Sequence, residues 1–187
     1  MVSTGAGALR DQERPNPMEQ TIAMADITKH DFAQQLESHR GIVFKVVNTY
    51  CRQAEDRADL AQEIAAQLWS AWPGYDPSRR FSTWMYRIAL NVAIGFVRSE
   101  SPRRRQTVAL DERLHDIADE GAADQEAEQR LRLLQAFIER QTPLDRALLL
   151  LYLDDRAQRE IAEILGLSES NVSTKIGRLK QRVRNEI

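Results

Sequence analysis

Apolar residues recur three and four positions apart along most of this chain, and nowhere do they alternate with polar ones over the length of a strand. That period puts them on one face of a helix, so the fold class reads as all-α. Phe32, Leu36, Val43, Val46, Val47 and Tyr50 predict one helix, with Cys51 on it. Phe81, Trp84, Met85, Ile88, Val92 and Phe96 predict another from Ser82 onward, after a stretch that Pro73, Gly74 and Pro77 make a loop. Leu131, Leu134, Phe137 and Ile138 start a third. Thr142 as N-cap and Pro143 at the first helical position start a fourth, which Leu144 to Leu153 fills.

The end of the chain carries the sharpest pattern. Ile161 and Leu165 lie at helical spacing, Gly166 suits the left-handed residue that ends a helix, and Ser168 is a good N-cap for a helix starting near Glu169. On that helix Val172, Ile176, Leu179 and Val183 form one buried stripe. Ser170, Asn171, Ser173, Thr174, Lys175, Arg178, Lys180, Gln181 and Arg182 are left facing outward, short hydrogen-bonding groups first and cations later. This is a helix-turn-helix. Its second helix has the equipment to read base edges near its start, through Ser170, Asn171, Ser173 and Thr174, and to hold phosphates through Lys175, Arg178 and Lys180.

A second constellation lies upstream. All 3 tryptophans and half of the 4 tyrosines fall between Trp69 and Asn91, interleaved with arginines. Trp69, Trp84 and Phe96 read as core. Tyr75, Arg79, Arg80, Thr83, Tyr86, Arg87 and Asn91 point elsewhere and suit the capture of unpaired bases, since a ring stacks on any base and amides and cations take its edge and phosphate.

Charge adds what the total of -2 conceals. From Arg79 to Arg105 seven arginines face Glu100 alone, and from Arg156 to Ile187 seven cations face four glutamates. Between them, from Asp111 to Glu128, eight acids face Arg113 alone, so this stretch repels itself and is expected to stay extended to about Gln129. The organisation expected is a flexible tail over residues 1–25, a helical domain over 26–101, an acidic flexible linker over 102–128 and a second helical domain over 129–187. Two basic patches on an acidic tether imply two simultaneous DNA contacts, spaced by a larger partner.

Other chemistry is not indicated. The 3 histidines, His30, His39 and His115, lack metal-ligand spacing, no phosphate-binding loop appears, and no nucleophile is placed beside a base, so no enzyme, cofactor or metal is expected. The single cysteine, Cys51, reads as a buried inert thiol. No apolar run is long enough to cross a bilayer and the N-terminus lacks a signal pattern, so a cytoplasmic protein without membrane insertion is expected. The residues alone leave open a stand-alone helix-turn-helix regulator whose N-terminal half senses a ligand or partner.

Taken together, Asp59-Leu60-Ala61-Gln62-Glu63 with Leu68-Trp69, then Phe81 through Ile94, then the helix-turn-helix, resemble a bacterial sigma-70 family factor of the extracytoplasmic function group, over roughly Asp26 to Ile187. The resemblance implies the promoter-specificity subunit of RNA polymerase. Its first domain would open and read the minus-10 element as single strand, through Tyr75, Arg79, Arg80, Thr83, Tyr86, Arg87 and Asn91. The helix-turn-helix would read the minus-35 element as duplex. It also implies that Asp59, Gln62, Glu63 and Gln67 dock on core RNA polymerase, and that an anti-sigma protein is a partner besides promoter DNA. Gly95 stands where the family often has an aspartate.

Overall fold

The computed structural model describes residues 30–104 and 122–186, all of whose regular structure is helical. The tail expected over residues 1–25, and the linker between 105 and 121, lie outside the described residues. A short helix, α1, covers residues 30–38 and belongs to a unit of its own. The other unit runs from His39 and contains α2 (Arg40–Tyr50), α3 (Ala54–Ala71), a 3-10 turn (Trp72–Gly74), α4 (Phe81–Arg104), α5 (Ala122–Glu139), α6 (Pro143–Leu153), α7 (Gln158–Leu165) and α8 (Glu169–Glu186).

Helices α2, α3 and α4 pack on one another, and α6, α7 and α8 do the same with α5 beside them. The first core is built from Ile42, Val46, Val47 and Tyr50 of α2, the stripe Leu60, Ile64 and Leu68 of α3, and Phe81, Met85, Ala89, Leu90 and Ala93 of α4. The second is built from Phe137, Leu148, Leu151, Ile161, Ile164, Val172, Ile176 and Leu179. The two sets also share a face, because α4 packs on α6 and α7, and α2 on α5 and α6.

Four expectations need correction. The helix expected to run unbroken from Phe32 to Cys51 is divided at His39, and Cys51 stands just past the end of α2 in an extended conformation, buried as expected. The acidic segment does not stay extended to Gln129. Helix α5 begins at Ala122, where Glu126 pairs with Arg130 (2.6 Å) and Glu128 with Arg132, each four residues on, so half of each ion pair comes from the acids that were expected to repel. The buried face of α4 is also rotated. Phe81, Met85, Ala89 and Ala93 carry it, while Trp84, Ile88, Val92 and Phe96 are only half-buried, because α4 is packed between neighbours on two sides. Trp69, expected in the core, is 43% exposed.

Candidate nucleic-acid interface

The turn between α7 and α8 forms as its residues dictate. Gly166 takes a left-handed conformation (φ 66°), the Leu167 N–H bonds back to the Ala162 carbonyl at 3.0 Å, and the Ser168 hydroxyl accepts from the Asn171 N–H at 3.3 Å. Val172, Ile176 and Leu179 are buried under α8, which leaves Ser170, Asn171, Ser173, Thr174, Arg178 and Lys180 exposed along one surface. Lys175 is half-buried and lies 3.7 Å from Asp145. Lys180 lies over the exposed Tyr152 ring at 5.2 Å. The N-terminal half of α8 therefore presents exposed short polar side chains ahead of exposed cations, with the Thr174 hydroxyl donating to the Ser170 carbonyl at 2.9 Å, an arrangement chemically able to meet base edges and phosphates.

The other cluster is assembled around the start of α4. Trp72 and Tyr75 stack (5.3 Å, 15°), and Tyr75, Phe81 and Trp84 contact one another at 5.0 to 5.5 Å. The Tyr75 hydroxyl donates to the Arg79 carbonyl at 2.8 Å and closes the loop on itself. Arg79, Arg80, Arg87 and Asn91 are exposed as expected, and Tyr75 is half-buried. Thr83 and Tyr86 are not exposed. Thr83 is 8% and Tyr86 0% accessible, the reverse of the outward placement expected from the periodicity.

Their covering comes from the far end of the chain. Asp154 ends α6, Asp155 follows in a left-handed conformation (φ 53°), and the Arg156 and Asp155 N–H groups bond back to the Leu151 and Tyr152 carbonyls, each at 3.1 Å. This turn delivers Asp154 and Arg156 onto α4. The Asp154 carboxylate accepts from the Tyr86 hydroxyl (3.0 Å), from Arg156 Nε (2.9 Å) and from Lys45 Nζ of α2. Glu160 of α7 accepts from the Thr83 hydroxyl and from Arg156 Nη1, both at 2.9 Å, while Arg156 also donates to the Ser82 hydroxyl (3.3 Å) and lies 5.1 Å from the centre of the Tyr86 ring. At the rim Arg79 approaches Glu163 of α7 at 3.9 Å, Arg52 pairs with Glu139, and the Tyr50 hydroxyl donates to the Pro143 carbonyl at 2.6 Å.

Electrostatics fix the protonation states. Burial opposes charge on Asp154, but hydrogen bonds from Lys45, Arg156 and Tyr86 outweigh it and hold the carboxyl below its ordinary range. Burial, followed by the charge of Asp154 and the hydrogen bond to it, pushes the Tyr86 hydroxyl well above the ordinary tyrosine range, so it remains a donor at neutral pH. A charge-assisted hydrogen bond of this kind contributes roughly 1.5 to 3 kcal/mol. The exposed Arg79–Glu163 approach contributes about 0 to 1 kcal/mol. The central carboxylates therefore dominate the polar part of this contact.

Asp59, Gln62, Glu63 and Gln67 are all exposed on α3, whose Leu60, Ile64 and Leu68 are buried. They share one polar face, a geometry suited to docking on a partner. Among the described residues no group of histidine, cysteine and carboxylate side chains could hold a metal ion. No helix among them is long and apolar enough to cross a membrane.

Comparison with known proteins places both clusters. The sigma-70 region 2 profile matches residues 36–103, and the sigma-70 region 4 profile matches residues 131–183. The first match contains the aromatic-arginine cluster and the second the helix-turn-helix. This chain belongs to the sigma-70 family. It is 26% identical over 165 residues to the extracytoplasmic function RNA polymerase sigma factor SigW of Bacillus subtilis, spanning 83% of this chain and 88% of that protein. It is also 26% identical over 162 residues to the RNA polymerase sigma factor CnrH of Cupriavidus metallidurans, spanning 81% and 84%. The fold is similar to that of CnrH in complex with the cytosolic domain of CnrY (TM-score 0.59, 21% identity, 84% of this chain and 87% of that one). It is likewise similar to the sigma factor RpoE in complex with the anti-sigma factor NepR from Bartonella quintana (TM-score 0.61, 14% identity, 84% and 94%).

The protein is thus an extracytoplasmic function sigma factor, which directs RNA polymerase to promoters. The stand-alone regulator is not favoured. In this sigma factor the residues predicted for strand capture come together only partly: Tyr75, Arg79 and Arg80 surround the loop, Arg87 and Asn91 lie open along α4, and Thr83 and Tyr86 are covered. Sequence reasoning missed Lys45, Asp154, Arg156 and Glu160. Their contacts across the two helical sets join residues 68 to 109 positions apart, and the local Arg156–Glu160 spacing does not reveal them.

Proposed function

We propose that this sigma factor divides promoter recognition between its two helical sets. The exposed face of α8 reads the minus-35 element in the major groove, with Ser170, Asn171, Ser173 and Thr174 on base edges and Lys175, Arg178 and Lys180 on phosphates. The loop and first half of α4 take the strand-separated minus-10 element, with Tyr75 and Tyr86 as stacking surfaces and Arg79, Arg80, Thr83, Arg87 and Asn91 as its polar contacts. The polar face of α3 at Asp59, Gln62, Glu63 and Gln67 docks on core RNA polymerase. The working boundaries are residues 26–101 for the first module and 129–187 for the second.

The observation that carries this reading is the exposed row Ser170, Asn171, Ser173 and Thr174, held above a buried stripe at the start of α8. Energetics explain why polymerase is needed. Separating DNA costs about 1.4 kcal/mol per base-pair step and a captured base returns roughly 1 to 3 kcal/mol, so α4 alone barely breaks even. The fold shared with CnrH, seen with the cytosolic domain of CnrY, and with RpoE, seen with the anti-sigma factor NepR, supports an anti-sigma protein as a partner here too. The protein acts in the cytoplasm, beside polymerase and the chromosome, and not as an enzyme.

In vitro transcription with core polymerase, followed by mapping of start sites and permanganate footprinting, tests the assignment. Tyr86→Ala and Asn91→Ala are expected to lose permanganate-reactive thymines while retaining polymerase binding. Wild-type reactivity in both variants would remove α4 as the strand-reading element.

A further inference from the structure

Three of the residues proposed to contact melted DNA are already occupied by side chains of the C-terminal helices. Thr83 donates to Glu160, Tyr86 donates to Asp154, and Arg79 approaches Glu163. A fourth residue of the α2–α4 set, Lys45, also ends on Asp154. Every acceptor in this group is a carboxylate from the α6–α7 turn or from α7, and Arg156 lies against the Tyr86 ring where a base would have to stack. The exposed face of α8 takes no part in it.

We infer that the α6–α7 turn is an intramolecular inhibitor of the strand-reading end of α4: Asp154, Glu160 and Glu163 stand in for the phosphates and base acceptors of melted DNA, and Arg156 stands in for a stacked base. The inference rests on the reading of α4 given above. Arg156 is what makes the mimicry hold together. It neutralises two clustered carboxylates, Asp154 at 2.9 Å and Glu160 at 2.9 Å, which would otherwise repel each other on the same face. The consequence is that the free sigma factor is closed. Polymerase and promoter must supply the free energy that separates α4 from the turn before Tyr86 reaches a base.

The test uses the full chain with fluorophores on Ser70→Cys of α3 and Gln181→Cys of α8, both exposed positions, with Cys51 left in its buried place. Energy transfer is compared between the otherwise unchanged chain, the double variant Asp154→Asn with Glu160→Gln, and Lys45→Ala. The last breaks the same carboxylate contact from α2 and leaves the C-terminal helices intact. Binding of a short mixed-sequence single-stranded DNA oligonucleotide, without polymerase, is measured in parallel. Helix content by circular dichroism confirms that each variant is folded. The expected result is high transfer in the unchanged chain, lower transfer in both variants, and single-strand affinity raised roughly five- to a hundredfold in the double variant, the return from freeing one stacking ring. Low transfer in the unchanged chain, or transfer unmoved by either variant, overturns the inference. Loss of transfer without a gain in single-strand binding overturns inhibition as well. In that case, permanganate footprinting of Tyr86→Ala with polymerase shows whether the strand-reading assignment failed with it.

Discussion

Two residues in the left-handed backbone region end α6 and α7, and they do so at different cost. At Gly166 (φ 66°) a Cβ would meet nothing within 4 Å, so Gly166→Ala is penalised through the backbone alone. The expected loss is about 1 kcal/mol of unfolding free energy, read from denaturant melts. At Asp155 (φ 53°) a non-glycine residue already bears that conformation, in the turn that sends Asp154 and Arg156 onto α4. Asp154 also sets a pH dependence. Its carboxyl is held low in the closed arrangement, so the contact is fully present above the ordinary value of 3.8 and is lost as pH falls below it through the depressed value. The Arg156 guanidinium and Tyr86 hydroxyl that face it are both shifted upward, so neither titrates in that range. Energy transfer between α3 and α8 should therefore be flat from neutral pH down to about that point and fall only below it, and the fall should be smaller in Asp154→Asn, where only the Glu160 and Glu163 contacts are left to lose.

The helix-turn-helix was legible in the sequence because everything that builds it is local: the stripe at Val172, Ile176 and Leu179, the Gly166 turn and the Ser168 cap lie within a few turns of one another. Helix α4 was legible as a helix but not in its orientation. A single apolar period assumes one buried face, whereas α4 meets α2 and α3 on one side and α6 and α7 on another, so Thr83 and Tyr86 were read as open when they are covered. Helix α5 starts earlier than its acid count suggested because the partners of Glu126 and Glu128 lie further along, at Arg130 and Arg132. The exposed residues of α8 separate into two predicted behaviours. Asn171→Ala should cost roughly 1 to 3 kcal/mol and relax preference at one promoter position, whereas Arg178→Ala should weaken binding evenly across sequences and reduce the salt slope by about 1. Binding of polymerase holoenzyme to a library of minus-35 variants at several salt concentrations distinguishes the two. Equal effects of both substitutions on every sequence would show that α8 contacts backbone only.

In the whole molecule the two surfaces proposed to contact DNA differ in availability. The face of α8 proposed for the minus-35 element is open, while the end of α4 proposed to read the separated strand is turned against Asp154 and Glu160. With a net charge of -2 the chain has no overall field to draw it onto duplex DNA, so its affinity for duplex rests on the few cations of α8 and should stay in the non-specific range of roughly 10⁻⁴ to 10⁻⁶ M without polymerase. Opening the contact exposes Tyr86 but changes nothing on α8. The double variant Asp154→Asn with Glu160→Gln removes two acids, which alone would raise affinity for any DNA slightly and equally. The prediction is therefore a difference between substrates: single-strand affinity rises much more than duplex affinity, and the excess disappears when Tyr86→Ala is added. A parallel rise for both substrates would mean that the carboxylates act through net charge and not by covering the ring. Fluorescence anisotropy with the two DNA forms at matched salt decides between these outcomes.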